Sequence, residues 1–278
     1  MSLRQILHLS DIHFGPYHLP QVAAGVLDLI DRRHPDLVVI SGDLTQRAKP
    51  GQFREARGFV DRIPVPTITV PGNHDVPMYR FWERLLAPFG AYRRHFSTEL
   101  EPVVRDDEML VAGVNTAHNW TIKDGRIRRR RLRELEWLLA DAPAGLARIV
   151  VAHHELIPAP RFDTQRVLGN AYEAVDVFAR AGVDLVLSGH LHQAWVGLSE
   201  SYYPAGRRPV LLVYAGTTTS SRGRGMEKGR NTCNWIRLGR DEVAISHLGW
   251  DPAVGYFVES SRHRFPRRHR RPFGLETM

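Results

Sequence analysis

The chain predicts an α/β fold, two packed mixed sheets flanked by helices, and three observations carry that prediction. Strand-like and helix-like stretches alternate from the first residues onward, the pattern of βαβ units. Five short apolar runs each end in side chains able to bind a cation. After His192 the alternation gives way to short strands separated by glycine turns, the pattern of a more antiparallel half.

In chain order, Gln5–Ser10 reads as a buried strand. Val22–Arg33 reads as a helix, because Val22, Val26, Leu29 and Ile30 share one face and Pro35 follows. Leu37–Ser41 is a second strand, Gln52–Asp61 a short helix and Pro66–Pro71 a third strand. Tyr79–Phe89 is rich in aromatic residues. Core packing is its first expectation, and walling a pocket is the second. Arg126–Ala140 is amphipathic, with Leu132, Leu135, Leu138 and Leu139 inward, an Arg130–Glu134 pair at i,i+4, and its arginines on the solvent face. Arg148–Ala152 is a strand, Ala171–Ala181 a helix and Asp184–Ser188 a strand. Val210–Ala215, Asn234–Leu238 and Val243–His247 complete the antiparallel half. Residues 1–261 are taken as one domain, and 262–278 as a loosely ordered basic tail.

A chain of 278 residues with 43% hydrophobic content has room for a large core. The single cysteine, Cys233, permits no disulfide within the chain, and neither a secretory signal nor a membrane-length apolar run is expected. The expected location is cytoplasmic. The net charge of +8 arises from 35 Arg and only 3 Lys, much of it clustered at Arg128–Arg131 and from Arg262 to Arg271. Such clusters are usually solvated faces. No stable nucleic-acid complex is expected, although a positive field favours an anionic substrate.

The run ends are Asp11-Ile12-His13, Gly42-Asp43, Gly72-Asn73-His74-Asp75, His153-His154 and Gly189-His190-Leu191-His192. Ligands of α/β proteins bind outside the carboxyl ends of parallel strands. Five such ends therefore predict one pocket that holds more than one metal ion. A carboxylate has two oxygens, so Asp43 can bridge two cations. Asn73 offers an amide oxygen, and the i,i+2 spacing of His190 and His192 puts both imidazoles on one side of an extended segment. Carboxylate, amide and imidazole without thiolate suit Mn, Fe, Zn, Co or Ni, and not a structural zinc site. Of the remaining histidines, His8, His18, His34, His95, His118, His247, His263 and His269 read as packed or exposed.

This order of motifs resembles the calcineurin-like metallophosphoesterase superfamily, from Asp11 to about Gly216. The resemblance implies a four-layer α/β/β/α sandwich and a two-metal hydrolytic centre. It assigns Asp11, His13, His192 and a bridging Asp43 to one ion, and Asn73, His153, His190 and the same Asp43 to the other. His153 is chosen over His154 because it directly follows the strand. His74 is implied to reach the scissile phosphate or the leaving oxygen, with Asp75 orienting it. The implied reaction is hydrolysis by attack of a metal-bridging hydroxide.

The opening Ser10-Asp11-Ile12-His13-Phe14-Gly15 looks like bacterial phosphodiesterases of the cyclic-nucleotide or glycerophosphodiester group. A phosphodiesterase of broad substrate range is expected. The alternatives are a nucleotide-sugar-lipid pyrophosphatase of the UDP-diacylglucosamine type and a non-catalytic scaffold on the same fold. In the polar segment Thr217–Gly225, Arg222 and Arg224 are candidate substrate contacts. The expected partners are a small phosphodiester and a weak contact between Phe265, Pro266, nearby arginines and an anionic membrane; a second copy of the chain is left open.

Overall fold

The structure, a computed structural model, describes residues 3–121, 123–159, 167–203, 208–224 and 227–267. Its strands form two six-stranded sheets. The first begins with β1 (Arg4–Leu9), β2 (Leu37–Ile40) and β3 (Thr67–Thr69), which run parallel. The second takes β4 (Val103–Arg105), β5 (Met109–Gly113), β6 (Ala147–Val151), β7 (Leu185–Ser188), β8 (Trp195–Leu198) and β9 (Leu211–Tyr214). The chain then returns to the first sheet with β10 (Thr232–Leu238), β11 (Glu242–Asp251) and β12 (Tyr256–Pro266), laid antiparallel beside β1.

Side chains of a strand alternate between faces, and in the central strands both faces are dry. Ile6, Leu37 and Val39 of the first sheet meet Ile149, Val151, Leu185 and Leu187 of the second. The opposite face of the first sheet, with Leu7, Leu9, Val38 and Ile40, is covered by α1 (Pro20–Arg33) and α2 (Pro50–Val60) through Val22, Val26, Ile30 and Phe53. Two short helices follow, α3 (Phe81–Leu86) and α4 (Gly90–His95), and Tyr92 of α4 joins the same core. On the outer side of the second sheet, Val150, Val186 and Leu212 pack against α5 (Arg129–Ala140) and α6 (Ala171–Ala181). The result is the four-layer sandwich. Among the described residues, no helix is long and apolar enough to cross a membrane.

Several expectations are corrected. Val210–Ala215 becomes β9, which pairs parallel with β7 on one side and antiparallel with β8 on the other, so the antiparallel half is split between the edge of the second sheet and β10–β12 of the first. β5 is a continuous apolar run, and periodicity alone does not separate such a run from a buried helix. The Tyr79–Phe89 stretch does not pack in the core as a unit: α3 buries no side chain, and Phe89 is its buried member. Arg131 turns inward to Glu101 and the Gly113 carbonyl, while Arg130 pairs outward with Glu134 at 2.8 Å. The tail boundary at 262 falls inside β12, because Arg262–Pro266 continues the ladder with β11. Arg267 caps this strand end with an ion pair to Asp184 at 3.5 Å and a bond to the Gly145 carbonyl at 2.8 Å. A basic, solvent-facing strand carries few apolar residues, which is why its composition reads as a tail. Residues 268–278 lie outside those described.

A buried arginine ties the second sheet to its helix layer. Arg148 of β6 is nearly inaccessible and donates to the carbonyls of Leu139 and Ala142, each at 2.6 Å, at the end of α5. Helix ends leave carbonyls without intrahelical donors, and here one guanidinium supplies them. Arg148→Met is expected to lower the unfolding free energy by about 2–4 kcal/mol. Urea denaturation checks this, and an unchanged midpoint would rule it out.

Candidate metal centre

The carboxyl ends of β1, β2 and β3 in one sheet open toward those of β6 and β7 in the other. Beyond the strands the backbone stays paired: Asp11 N–H donates to Gly42, His13 to Asp43 and Phe14 to Leu44. Asp11, His13, Asp43, His190 and His192 all have φ between +51° and +68°, and only two other described non-glycine residues have positive φ. That conformation costs an L-residue about 1–2 kcal/mol, so backbone strain is concentrated where the side chains converge. Two glycines permit the approach. At Gly42, with φ +101°, a Cβ would lie 2.5 Å from His153 Nδ1, and at Gly72 it would lie 2.1 Å from Asp43 Oδ1.

Coordinating atoms of Asp11, His13, Asp43 and His192 lie within 4.8 Å of one another, all buried. His13 Nε2 is 3.5 Å from Asp11 Oδ1, 3.6 Å from Asp43 Oδ2 and 3.4 Å from His192 Nε2. The other oxygen of Asp43 serves a second group. His153 Nε2 lies 3.3 Å from Asp43 Oδ1 and 3.1 Å from Asn73 Oδ1, and His190 Nδ1 lies 3.0 Å from the same Asn73 oxygen. All seven residues singled out in the sequence are therefore brought together, in two sets that share Asp43. His154 is not among them: its Nδ1 meets Thr116 Oγ1 at 2.7 Å.

Two observations show that these residues fit cations. Asp11 Oδ1 and Asp43 Oδ2 are buried without any hydrogen-bond donor, a costly arrangement unless positive charge stands between them. His153 Nδ1 must donate to the Ser41 carbonyl at 2.8 Å, which aims Nε2 at two acceptor oxygens. The electrostatics agree. Burial pushes Asp11 and Asp43 up, but the surrounding imidazoles, His192 and His153 foremost, hold both carboxyls well below the usual range. Burial, chiefly, pushes His190 and His192 down to about 3, so both are neutral and able to ligate. Burial also opposes charge on His153, but the neighbouring Asp43 carboxylate outweighs it and drives the group up to about 10.

The remaining candidates divide. His74 donates its backbone N–H to Asp43 Oδ1 at 2.8 Å, and its ring Nδ1 meets the Gln46 carbonyl at 2.9 Å. Arg222 Nη1 sits 3.3 Å from His74 Nε2, half-buried at the site. Arg224 is exposed and makes no such contact, although its charge helps to depress His190 and His192. Asp75 does not touch the His74 ring, contrary to expectation. Its carboxylate accepts the backbone N–H groups of Gly72, Leu44 and Thr45 and the Thr45 hydroxyl, so it pins the two ligand loops together. Burial, reinforced by Asp43, raises it to about 6.

Sequence reasoning missed the groups that orient the ligands. Thr217 Oγ1 bonds His192 Nδ1 at 2.6 Å, and the Thr45 and Ser41 carbonyls face His13 and His153. Such partners fix ring orientation and tautomer. Carbonyls carry no sequence signal. Thr217 did have one, as the first hydroxyl after β9, yet Thr217–Ser220 prove buried and stitched to the loop after β1 instead of lining a solvent rim.

Known proteins resemble this chain in sequence and in fold. The chain is 32% identical over 177 residues to a probable cyclic nucleotide phosphodiesterase of a Synechococcus species; the match covers 63% of this chain and, at 64%, just under two thirds of that protein. It is 28% identical to a cAMP/cGMP dual specificity phosphodiesterase of Mycobacterium tuberculosis, over 93% of this chain and 84% of the relative. In fold it is similar to a purple acid phosphatase from yellow lupin, with a TM-score of 0.70 at 13% identity, over 96% of this chain and 54% of that one. Residues 4–194, with every ligand position among them, match the calcineurin-like phosphoesterase profile, and the chain belongs to that family.

Proposed function

We propose that the protein is a dinuclear metal-dependent phosphodiesterase acting on small anionic diesters. The observation that carries this reading is the Asp43 carboxylate, which presents one oxygen to each of two buried ligand sets. Asp11, His13, Asp43 and His192 would hold one ion, and Asp43, Asn73, His153 and His190 the other. When bound, two such ions supply Lewis acidity toward a phosphoryl oxygen and lower the pKa of water. The transition metals Mn, Fe, Zn, Co and Ni suit this donor set.

The chain's own residues supply the remainder. The Gln46 carbonyl holds the His74 ring edge toward Arg222, so the two form one polar face beside the shared carboxylate. That face can accept a phosphoryl oxygen and steady the leaving oxygen. Burial, foremost, lowers the pKa of His74, although Asp43 opposes this, and only a ring protonated at Nε2 has a proton to give the leaving oxygen. Asp75 acts as a positioning residue for the ligand loops. The names of the two phosphodiesterase relatives support a diester substrate, a cyclic nucleotide among the candidates. A complete ligand set speaks against a scaffold.

Asp43→Ala is expected to lose both ions and all hydrolysis of a bis-aryl phosphodiester, read by elemental analysis and initial rates. Full activity in a chelated, metal-free preparation would sink the proposal. His74→Ala should keep its metal and lose turnover by about 10²–10⁴-fold if the ring donates a proton to the leaving group. The loss should shrink with a nitrophenolate leaving group; an equal loss with good and poor leaving groups would leave His74 an electrostatic role only. Arg222→Ala should raise KM for diesters carrying an extra charge more than for a bis-aryl diester, with metal content unchanged. Arg224→Ala should have the smaller effect, and two silent variants would remove this loop from substrate recognition.

A further inference from the structure

The most anomalous surface of the molecule lies beside the centre. Tyr79, Phe81, Trp82, Leu86 and Trp120 are 71%, 64%, 70%, 77% and 79% exposed. They form one face. Phe81 and Trp82 pack edge to face at 5.3 Å, and the Arg47 guanidinium lies 5.1 Å from the Tyr79 ring. Arg84 locks the helix to the Trp120 loop by donating to the Pro77 and Asn119 carbonyls at 3.0 and 2.8 Å, and Asn119 returns a bond to Leu85. Leu86 and Trp120 then share the wall of a 940 Å³ groove with Arg93, Arg126 and Arg128. Arg80 ties this face to the Asp43 loop through the Ala48 carbonyl at 2.8 Å.

A clustered apolar patch of this kind marks a place where something else binds. Three features choose the occupant. The patch is aromatic rather than aliphatic, and the rings of Trp and Tyr favour the boundary between headgroups and acyl chains. Its flanks carry an excess of cations: Arg93, Arg94, Arg126 and Arg128 are exposed, against Glu99 and Glu101 on the groove wall, of which Glu101 is paired with Arg131. The acid on the helix itself, Glu83, is paired with Arg80 at 2.8 Å. Apolar rings framed by arginine match an anionic lipid surface, where each basic side chain adds attraction that salt weakens.

We propose that the aromatic face of α3 and Trp120 docks the protein on an anionic phospholipid bilayer, with the His74 side of the metal centre toward the headgroups. This surface is distinct from the Phe265–Pro266 contact expected from the sequence: Phe265 packs against the inter-sheet core. The test is flotation of the parent chain and of a W82A/W120A double variant with two vesicle preparations. One contains phosphatidylglycerol and phosphatidylcholine in roughly equal amounts, the other phosphatidylcholine alone. The parent should float with the anionic vesicles at low salt and be released by added salt. The double variant should bind about tenfold more weakly or worse. It should still hydrolyse a soluble bis-aryl diester at the parental rate, which shows that it is folded. No binding of the parent to anionic vesicles would overturn the proposal. Unchanged binding of the variant would also overturn it and assign the contact to another basic surface. A parent dimer that the double substitution converts to monomer, without vesicle binding, would show that the face covers a second copy.

Discussion

The Asp43 carboxylate sets the terms for the rest of the molecule. Its two oxygens face two candidate ligand sets, each drawing residues from both sheets, so the strand ends of the two sheets must be held in a fixed relation. The bond from His153 Nδ1 to the Ser41 carbonyl crosses that boundary directly, joining the end of β6 to the end of β2. Behind it the inter-sheet core of Ile6, Leu37, Val39, Ile149, Val151 and Leu187 is fully buried and fixes the spacing. Dense packing of this kind resists small displacements. The positive φ values of five ligands persist because that core and the Asp75 staple over-determine the loops.

The candidate ligand set was legible because coordination chemistry is unforgiving about residue type. Asp11, His13, Asp43, Asn73, His153, His190 and His192 each sit after an apolar run, and each arrives where that pattern places it. The helices with one-sided apolar periodicity were legible for the same reason: burial selects their residues. The interactions that orient the ligands were not, since backbone carbonyls of Ser41, Thr45 and Gln46 leave no trace in side-chain identity. Asp75 shows a subtler failure. Its neighbour in sequence suggested a histidine partner, but four donors on other loop atoms outcompete it. β12 was unreadable because a strand with a wet face carries the same basic composition as a tail.

His74 and Arg222 illustrate how distant segments share one task. Arg222 reaches the site only because Thr218, Thr219 and Ser221 bond to the loop that follows β1, and because Glu227 accepts from the Ala194 N–H just past His192. The position of this candidate recognition side chain thus depends on hydroxyls and a carboxylate that bond to other loops.

The first sheet also contains a polar ladder. His8, Asn234 and His247 are direct cross-strand partners on β1, β10 and β11, and they bond in sequence: Asn234 Nδ2 donates to His8 Nδ1 at 3.2 Å and Asn234 Oδ1 accepts from His247 Nδ1 at 2.7 Å. His8 passes the bond on to Ser41 Oγ at 2.9 Å. Burial keeps both rings neutral, His8 at about 3 and His247 at about 4. A strand slipped by two residues would keep each side chain on its own face and lose little hydrophobic contact, but it would strand three buried polar groups without partners. The ladder therefore works as a register key, specifying which of several near-equivalent strand alignments the late hairpin adopts when it closes against β1.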